Sequence, residues 1–420
     1  METGYDNIEA VVEQLYRSHF GRLVGLMLGK YRDLTLETVE DIVQDSFAAA
    51  LLTWTREGLP ERPAAWVYVV VRNRVINHLR SERKMWIAEP SDAGEGDWER
   101  SWEEDWERST VVDDDQLRLL FTCAHPELSP KVQVVITLKY VVNLKMRAIA
   151  AALGMSEDTI EKLLFRARNR LREKKFFLSE PSAPALASRL PVVHKIIYLI
   201  FTEGYKPAAG DELLKEELCG EALILAKVLL ESRLGDQATE ALYALMLFNA
   251  ARLKARFGSN GALVDLGEQD RSLWSRPLIS MGCEHLAKSR DGDVSSYHLE
   301  ATIAWLHCSA KDFASTDWTL VSKLYGKLME WGANPWVELS YAIALYYAGE
   351  KERAFRSLER LLQLPIMNQY YLLNVTLGKL YGLEGERYKS ELFYRRALEL
   401  TELPGEIDFV RRQLGKLRTG

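Results

Sequence analysis

The chain has 420 residues, of which 47% are hydrophobic and 27% are charged, and its formal net charge is −6. A globular chain of this length divides into about two or three domains, because single hydrophobic cores rarely grow larger. The four cysteines are scattered without a Cys-x-x-Cys pair, which argues against a disulfide scaffold and for a reducing cytoplasm. No apolar run approaches the ~20 residues of a membrane span, and the N-terminus lacks the features of a signal peptide.

Apolar residues recur at spacings of three and four along nearly the whole chain, whereas alternation at every second position is scarce. The first such stripe contains Val11, Val12, Leu15, Tyr16, Leu23, Leu26 and Met27. This spacing is that of one face of an α-helix, and the sequence therefore predicts an all-α fold.

Composition divides the chain into four parts. Residues 1–85 form a helical segment with a basic end, and residues 86–115 form a strongly acidic linker. Residues 116–178 are again helical with a basic end, and two prolines follow them. Residues 186–420 contain long helical patterns joined by short turns. We therefore expect two small helical domains, joined by a linker and followed by a larger helical domain.

The stretch that begins at Asp41 predicts an amphipathic helix with an acidic outer face. Ile42 and Phe47 can face inward, whereas Asp41, Gln44 and Asp45 point outward. By itself this pattern describes an exposed helix, and its meaning depends on the segment that follows.

A second helix is predicted after Pro63, where aromatic residues precede a stretch rich in arginine and asparagine. Such side chains at helical spacing can hold phosphates and the edges of unpaired bases, and nearby aromatics can stack on single-stranded DNA. The candidates are Trp66, Tyr68, Arg72, Asn73, Arg74, Asn77, His78 and Arg80. A core position is the preferred interpretation of Trp66 alone, whereas Arg74, Asn77 and Arg80 share one side and favour binding.

Residues 145–172 follow the pattern of a helix-turn-helix. A short apolar helix ends at Gly154, which suits a sharp turn, and Ser156 is placed to cap the next helix. The second helix of this motif enters the DNA major groove, where its first residues contact bases and its basic residues contact phosphates. A helical hairpin with a solvated basic face is the alternative. The candidate base-contacting residues are Glu157, Asp158, Thr159, Lys162 and Arg166.

The C-terminal part contains a faint internal repeat. One helical pair surrounds Ala342 and Leu358, and a second pair, with Gly378 and Tyr394, follows ~36 residues later. A small residue where two helices approach and an aromatic residue in the groove are typical of tetratricopeptide (TPR) repeats. The sequence therefore predicts a TPR-like helical domain.

Together these segments resemble the extracytoplasmic-function sigma factors of the sigma-70 family, in particular the subgroup with a long C-terminal TPR-like extension. The helix that begins at Asp41 resembles region 2.2, which binds the polymerase clamp. Residues 61–84 resemble regions 2.3 and 2.4, which capture and melt the −10 element, and residues 116–175 resemble region 4, which contacts the −35 element. The chain also resembles this subgroup at four short motifs, which are residues 117–126, 201–205, 269–274 and 316–318.

The resemblance implies a promoter-specific initiation factor that acts in the cytoplasm and is not an enzyme. Its partners would be the RNA polymerase core, through the β and β′ subunits, and promoter DNA; no cofactor or metal is implied. The implied core-binding residues are Asp41, Gln44, Asp45 and Phe47. The implied −10 residues are Trp66, Tyr68, Arg72, Asn73, Arg74, Asn77, His78 and Arg80. The implied −35 residues are Ser156, Glu157, Asp158, Thr159, Lys162, Arg166, Arg168 and Arg170.

The acidic linker and the extension have more than one interpretation. In related sigma factors the linker passes through the RNA path of the polymerase, where a polyanionic peptide could imitate RNA. Trp98, Trp102 and Trp106 recur at every fourth position, so the segment could instead form a helix that docks on the C-terminal domain, or serve only as a solubilising linker. In the subgroup the extension is thought to replace a separate anti-sigma partner, which implies contacts with the sigma domains and control of activity.

Two other classes of protein compete with this interpretation. A helix-turn-helix regulator that binds duplex DNA alone, with the TPR-like part as a scaffold, leaves the Asp41–Arg80 stretch unexplained, and a pure interaction protein leaves the basic helix unexplained. A metal site built from Cys283, His285, His307 and Cys308 is disfavoured, because adjacent helical residues point apart.

Overall fold

The computed structural model describes residues 2–31, 34–82, 114–153, 155–174, 183–205, 212–232, 234–256, 264–332 and 334–419. These residues are helical and contain no strand, which confirms the all-α prediction. They form two compact units. The N-terminal unit comprises Met1–Gly204 and Gly220–Leu234, and the C-terminal unit comprises Tyr205–Cys219 and Gly235–Gly420.

The N-terminal unit begins with three helices: α1 (Glu2–Lys30), α2 (Leu36–Glu57) and α3 (Pro63–Glu82). The side-chain oxygen of Thr35 accepts a hydrogen bond from the Thr38 backbone at 3.1 Å and so caps the first turn of α2. Gly58 ends the same helix with a φ of 90°, a conformation that L side chains rarely adopt. The apolar stripes of the three helices pack into a common core.

Four shorter helices follow: α4 (Asp114–Cys123), α5 (Pro130–Tyr140), α6 (Met146–Leu153) and α7 (Glu157–Lys174). The inner side of α7 contains Ile160, Leu164, Ala167 and Leu171, all of them buried. The predicted helix-turn-helix is therefore present as α6 and α7. Its turn residue Gly154 lies outside the described residues, as does the acidic linker from residue 86 to residue 113.

Two later helices also contribute to the N-terminal unit: α8 (Ala183–Tyr205), up to Gly204, and the second half of α9 (Glu212–Glu231). Arg189 of α8 donates a hydrogen bond of 3.2 Å to the backbone carbonyl of Phe121 in α4. The predicted domain boundary between residues 178 and 186 stays a prediction. By their contacts, the residues up to Gly204 belong with the preceding helices.

The described part of the C-terminal unit is largely helical. In chain order its helices are α10 (Gln237–Ala250), α11 (Arg276–Lys288), α12 (Ser296–Ser309), α13 (Trp318–Trp331), α14 (Pro335–Tyr347), α15 (Lys351–Leu362), α16 (Pro365–Asn368), α17 (Tyr371–Leu383), α18 (Arg387–Glu399) and α19 (Pro404–Thr419). Single 3-10 turns occur at Leu253–Ala255, Leu266–Glu268, Arg271–Leu273 and Ser289–Asp291.

The sequence repeat corresponds to two helical pairs, α14 with α15 and α17 with α18. A Cβ atom at Gly378 would lie 2.9 Å from the ring of Tyr394, so the glycine lets the two helices of the second pair approach closely. The Ser390 hydroxyl donates to the Gly378 carbonyl at 2.6 Å in the same contact. The small residue and the aromatic residue thus meet as the sequence pattern suggests, and the TPR-like assignment stays a prediction.

The motif at residues 269–274 has a packing role. Asp270 caps the following turn through the Ser272 backbone at 2.9 Å. Arg271 donates to the carbonyl oxygens of His307 at 2.9 Å and of Ala310 at 2.7 Å, and its guanidinium lies 4.4 Å from the ring centroid of Trp274. These contacts fix the end of α12 through carbonyl groups.

No helix in the described part of the chain is both long enough and apolar enough to cross a membrane.

Candidate functional site

The outer face of α2 is acidic, as the sequence predicts. Asp41 and Asp45 are exposed, and Gln44 is half-buried and donates to the Glu40 carboxylate at 3.1 Å. The pKa of Asp41 is raised, first by partial burial and then by the nearby carboxylates of Glu40 and Glu37. Phe47, by contrast, is buried and packs edge-on against Tyr16, with ring centroids 5.0 Å apart. Phe47 therefore holds the helix from inside, while the polar residues form its surface.

Helix α3 presents a mixed basic and amide face beside that acidic face. Asn73, Asn77 and Arg80 are exposed, and Arg74 reaches Asp45 of α2 at 3.6 Å. The predicted −10 residues thus adjoin the predicted core-binding residues.

The remaining candidates on α3 are less accessible. Arg72 and His78 are half-buried, and Tyr68 is buried in the core of the N-terminal unit. Trp66 is half-buried and packs edge-on against the buried Trp54 at 5.5 Å between ring centroids. The interpretation of Trp66 as a packing residue is consistent with this contact.

The first half of α7 is exposed and bears both signs of charge. The Ser156 hydroxyl accepts from the Thr159 backbone at 3.2 Å, which caps the helix as predicted. Glu157 and Asp158 occupy the first turn, and Lys162 pairs with Asp158 at 2.7 Å. Such an exposed pair on a helix contributes little to stability, and Lys162 can exchange it for another anion.

Two further side chains lie on the outer face of α7. Arg166 is exposed, and Phe165 is 63% exposed although it is apolar. A large apolar side chain on the outside of a DNA-facing helix can contact the methyl group of thymine in the major groove.

The second half of α7 differs, because two of its arginines already have partners within the protein. Arg170 pairs with Glu127 at 3.0 Å. Arg168 donates from Nη2 to Oε2 of Glu40 at 2.7 Å and from Nε to the Tyr140 hydroxyl at 2.7 Å. Glu40 belongs to α2, so this contact joins the two segments that resemble sigma regions 2 and 4.

We name the four residues Glu40, Lys139, Tyr140 and Arg168 the Glu40 cluster. Glu40 is 4% exposed, and each of its two oxygens has two partners. Oε1 accepts from Gln44 at 3.1 Å and contacts Lys139 at 3.0 Å, whereas Oε2 accepts from Tyr140 at 3.0 Å and from Arg168 at 2.7 Å. A carboxylate has about four lone-pair sites, so this one is saturated. Burial raises the pKa of Tyr140, and Glu40 raises it further, so the phenol remains a donor.

Backbone contacts support the same arrangement. Gly21 of α1 lies against the end of α5, where an added Cβ would be 2.8 Å from the Tyr140 carbonyl oxygen and 3.0 Å from that of Val141. Asn143 adopts a φ of 61° and donates to the Tyr16 carbonyl at 3.1 Å. The two regions therefore form one packed body in this conformation.

Sequence reasoning missed Glu40, Lys139 and Tyr140. A signal was present for Glu40, because it follows Leu36 by four residues and precedes Val43 by three, within the apolar stripe of α2. A carboxylate at such a position must find partners when it is buried. The sequence could not show which residues those would be, since they lie about a hundred positions away.

Comparisons with known proteins agree with this geometry. The family described as sigma-70 region 2 matches residues 15–85, and the one described as sigma-70 region 4 matches residues 118–171. This chain belongs to the sigma-70 family. It is an RNA polymerase sigma factor, with helix-turn-helix DNA binding and a long C-terminal extension, which confirms the predicted sigma-70 family and sigma-factor function.

The match extends beyond the sigma regions. A family of unknown function, DUF6596, matches residues 189–290 of the extension. An uncharacterized protein of Rhizobium meliloti is 33% identical over 396 residues, which cover 94% of the sigma factor and 93% of that relative. No solved structure matches the chain. Sigma-70 regions bind the polymerase core and promoter DNA, and the family consists of initiation factors rather than enzymes.

Proposed function

We propose that this sigma factor uses three exposed faces of its N-terminal unit for three separate contacts. The face of α2 with Asp41, Gln44 and Asp45 binds the polymerase core, through its β and β′ subunits. The face of α3 binds the −10 element, and the first half of α7 binds the −35 element. The protein acts in the cytoplasm, is not an enzyme, and belongs to the extracytoplasmic-function group.

The observation that supports this division is the position of the polar residues. Each of the three helices buries an apolar stripe in the same unit and leaves a distinct polar face exposed. Phe47 and Tyr68 are buried, so they position these faces from the inside. Arg74 and Asp45, 3.6 Å apart, couple the core-binding face to the −10 face.

The Glu40 cluster implies that the sigma factor must open before it can bind both promoter elements. The names −10 and −35 place these elements 25 base pairs apart, which is roughly 85 Å along the duplex at ~3.4 Å per base pair. The longest helix among the described residues of the N-terminal unit, α1 with 29 residues, spans only about 44 Å. Arg168 and Glu40 are 2.7 Å apart. We infer that this closed arrangement belongs to the free protein and that polymerase separates the two regions.

We also propose that the extension modulates this activity. Its first helix, α8, packs on α4 of region 4 through Arg189, so the extension is structurally continuous with the DNA-binding part of the N-terminal unit. A change in the extension can therefore reach region 4 without a separate partner protein.

Separation of function tests the assignment of the three faces. Asp45→Ala is expected to weaken binding to purified core polymerase, while leaving the affinity for an isolated −35 duplex unchanged. Arg166→Ala is expected to weaken binding to that duplex by roughly 1–3 kcal/mol, because a base-contacting arginine contributes about that much to the binding free energy. Its affinity for core polymerase is expected to stay the same. Core affinity is measured by labelled-protein titration, duplex affinity by fluorescence anisotropy, and initiation by run-off transcription.

Matched controls are available for both variants. Glu57→Ala removes an exposed acid at the other end of α2, and Lys131→Ala removes an exposed base from α5. Neither control is expected to change either affinity. If both test variants alter both affinities alike, the division of roles is wrong. A protein that binds the duplex but neither associates with core nor supports transcription would instead be a stand-alone regulator.

A further inference from the structure

The C-terminal unit contains a cavity of about 390 Å³, and this volume falls in the range of small-molecule sites. Its walls come from the segment at Asp265 and from α12, α13, α14, α17 and α19. Three aromatic rings, those of Phe313, Trp318 and Tyr347, pack against one another with centroids 4.8 to 4.9 Å apart. The cavity therefore offers a rigid apolar wall suited to a flat ring.

A charged pair lies in the same wall. Lys379 contacts Asp265 at 2.9 Å, and its ammonium lies 5.5 Å from the ring centroid of Phe313 and 5.9 Å from that of Tyr347. Burial lowers the pKa of Lys379, but Asp265 and Tyr347 raise it more, so the lysine stays charged. The ammonium has three protons and donates one to Asp265, so it retains donor capacity for an acceptor in the cavity.

His307 supplies a second unused polar group. Its side chain is 8% exposed, and its Nδ1 has no hydrogen-bond partner among the described residues. Burial, together with Arg252 and Arg271, lowers the pKa of His307 to about 3, so the imidazole is neutral at neutral pH. Its ring packs edge-on against Trp318 at 5.2 Å between centroids. An unpaired buried nitrogen is energetically unfavourable, and a ligand that pairs with it recovers that cost.

The charges of the lining residues indicate the class of ligand. Arg256 and Lys379 contribute two positive charges, Asp265 contributes one negative charge, and neutral His307 contributes none, so the lining has a net charge of +1. Arg256 is held in place by Tyr205, whose backbone carbonyl accepts its hydrogen bond and whose ring centroid lies 3.6 Å from the guanidinium. We propose that this cavity binds a small, flat aromatic molecule with one negative charge, with its anionic group at Lys379 and its ring against Phe313, Trp318 and Tyr347.

The test uses the full-length protein and two probes of the same shape, 1-naphthoate and its neutral amide, 1-naphthamide. Isothermal titration should show one naphthoate site per chain, with an affinity at least about tenfold higher than that of the amide, since a charge-assisted hydrogen bond contributes about 1.5 kcal/mol or more. Lys379→Met should reduce the naphthoate affinity about tenfold. Lys327→Met, which removes an exposed lysine from α13 in the same unit, should leave it unchanged.

A space-filling variant keeps the test decisive if Lys379→Met does not fold. Thr376 also lines the cavity, and Thr376→Phe should abolish binding of both probes while thermal unfolding shows a folded protein. Three outcomes would overturn the proposal: no naphthoate binding to the wild-type protein, equal affinity for acid and amide, or unchanged binding in a folded Thr376→Phe variant.

Discussion

The two units of this sigma factor bury charge in different ways. In the N-terminal unit the Glu40 carboxylate has four partners, one for each of its lone-pair sites, and they come from both sigma regions. In the C-terminal unit Lys379 and Asp265 lie at the wall of a cavity, and His307 beside them leaves Nδ1 unpaired among the described residues. In the first cluster all hydrogen-bonding positions of the carboxylate are used without any ligand, whereas the second cluster has hydrogen-bonding capacity that it does not use.

This difference has a physical meaning. A saturated buried cluster gains nothing from a further partner, so its function is to hold two parts of the protein together until something separates them. An unsaturated cluster beside open space gains free energy when a ligand supplies the missing contacts. The N-terminal unit is therefore built for a change in conformation, and the C-terminal unit is built for recognition of a small molecule.

The largest effect is expected from Glu40→Ala. Loss of the carboxylate leaves Arg168, Lys139 and Tyr140 without their shared partner, which should lower the free energy of unfolding by about 3 kcal/mol. The same variant should bind an isolated −35 duplex more tightly than the wild type, because Arg168 becomes available to phosphates. Denaturant unfolding followed by circular dichroism measures the first quantity, and fluorescence anisotropy measures the second.

Glu37→Ala is the matched control for that variant. Glu37 is an exposed acid in the first turn of α2, so its loss should cost only a few tenths of a kcal/mol. It should leave duplex affinity unchanged. A Glu40→Ala protein that is as stable as this control and binds the duplex no better would show that the cluster does not hold the regions together.

The next effect concerns the backbone contact between α1 and α5. Gly21→Ala places a methyl group against two carbonyl oxygens that cannot easily move, whereas Gly220→Ala, in the middle of α9, meets nothing within 4 Å. Both substitutions gain the same helix propensity, about 1 kcal/mol, so that term cancels between them. We expect the Gly21 variant to be less stable than the Gly220 variant by about 2 kcal/mol, the cost of overpacking.

Small-angle scattering on the same two variants tests whether the contact opens. The Gly21→Ala protein should have the larger radius of gyration, because separation of the two regions is the easiest way to relieve the clash. Equal stability and equal radius would mean that α1 and α5 are not in close contact in solution.

How much of this molecule the sequence predicts depends on the range of the interactions involved. The period of Ile160, Leu164 and Ala167 and the cap at Ser156 are local features, and they predicted α7 and its exposed face correctly. The local pattern of α7 places Arg168 among the predicted DNA-binding residues but gives no sign of its contact with Glu40, which lies 128 positions away. Local patterns determine which residues face outward, but long-range packing determines which outward residues are already engaged.

The cavity illustrates the same limit in the C-terminal unit. His307 and Cys308 drew attention in the sequence as a pair, yet the partners that matter for His307 are Trp318 and the arginines Arg252 and Arg271. Asp265 and Lys379 gave no sequence signal, since 114 positions separate them. The repeat pattern predicted the contact of Gly378 with Tyr394, because that contact lies within one helical pair.

The smallest of these effects is a pH dependence that His307 imposes on stability. The pKa of His307 is lowered from an unfolded value of 6.5 to about 3, so above pH 6.5 the imidazole is neutral in both states and contributes nothing. As the pH falls below 6.5, the imidazole binds a proton in the unfolded chain but not in the folded protein. The free energy of unfolding therefore decreases until the pH approaches 3. Between pH 7 and pH 5.5 the loss of stability should be about 1 kcal/mol.

His307→Gln removes this contribution. The difference between the unfolding free energies at pH 7 and at pH 5.5 should therefore be about 1 kcal/mol smaller in the variant than in the wild type. An identical pH slope in wild type and variant would mean that the imidazole is accessible to protons, and that the unpaired nitrogen beside the cavity is already solvated.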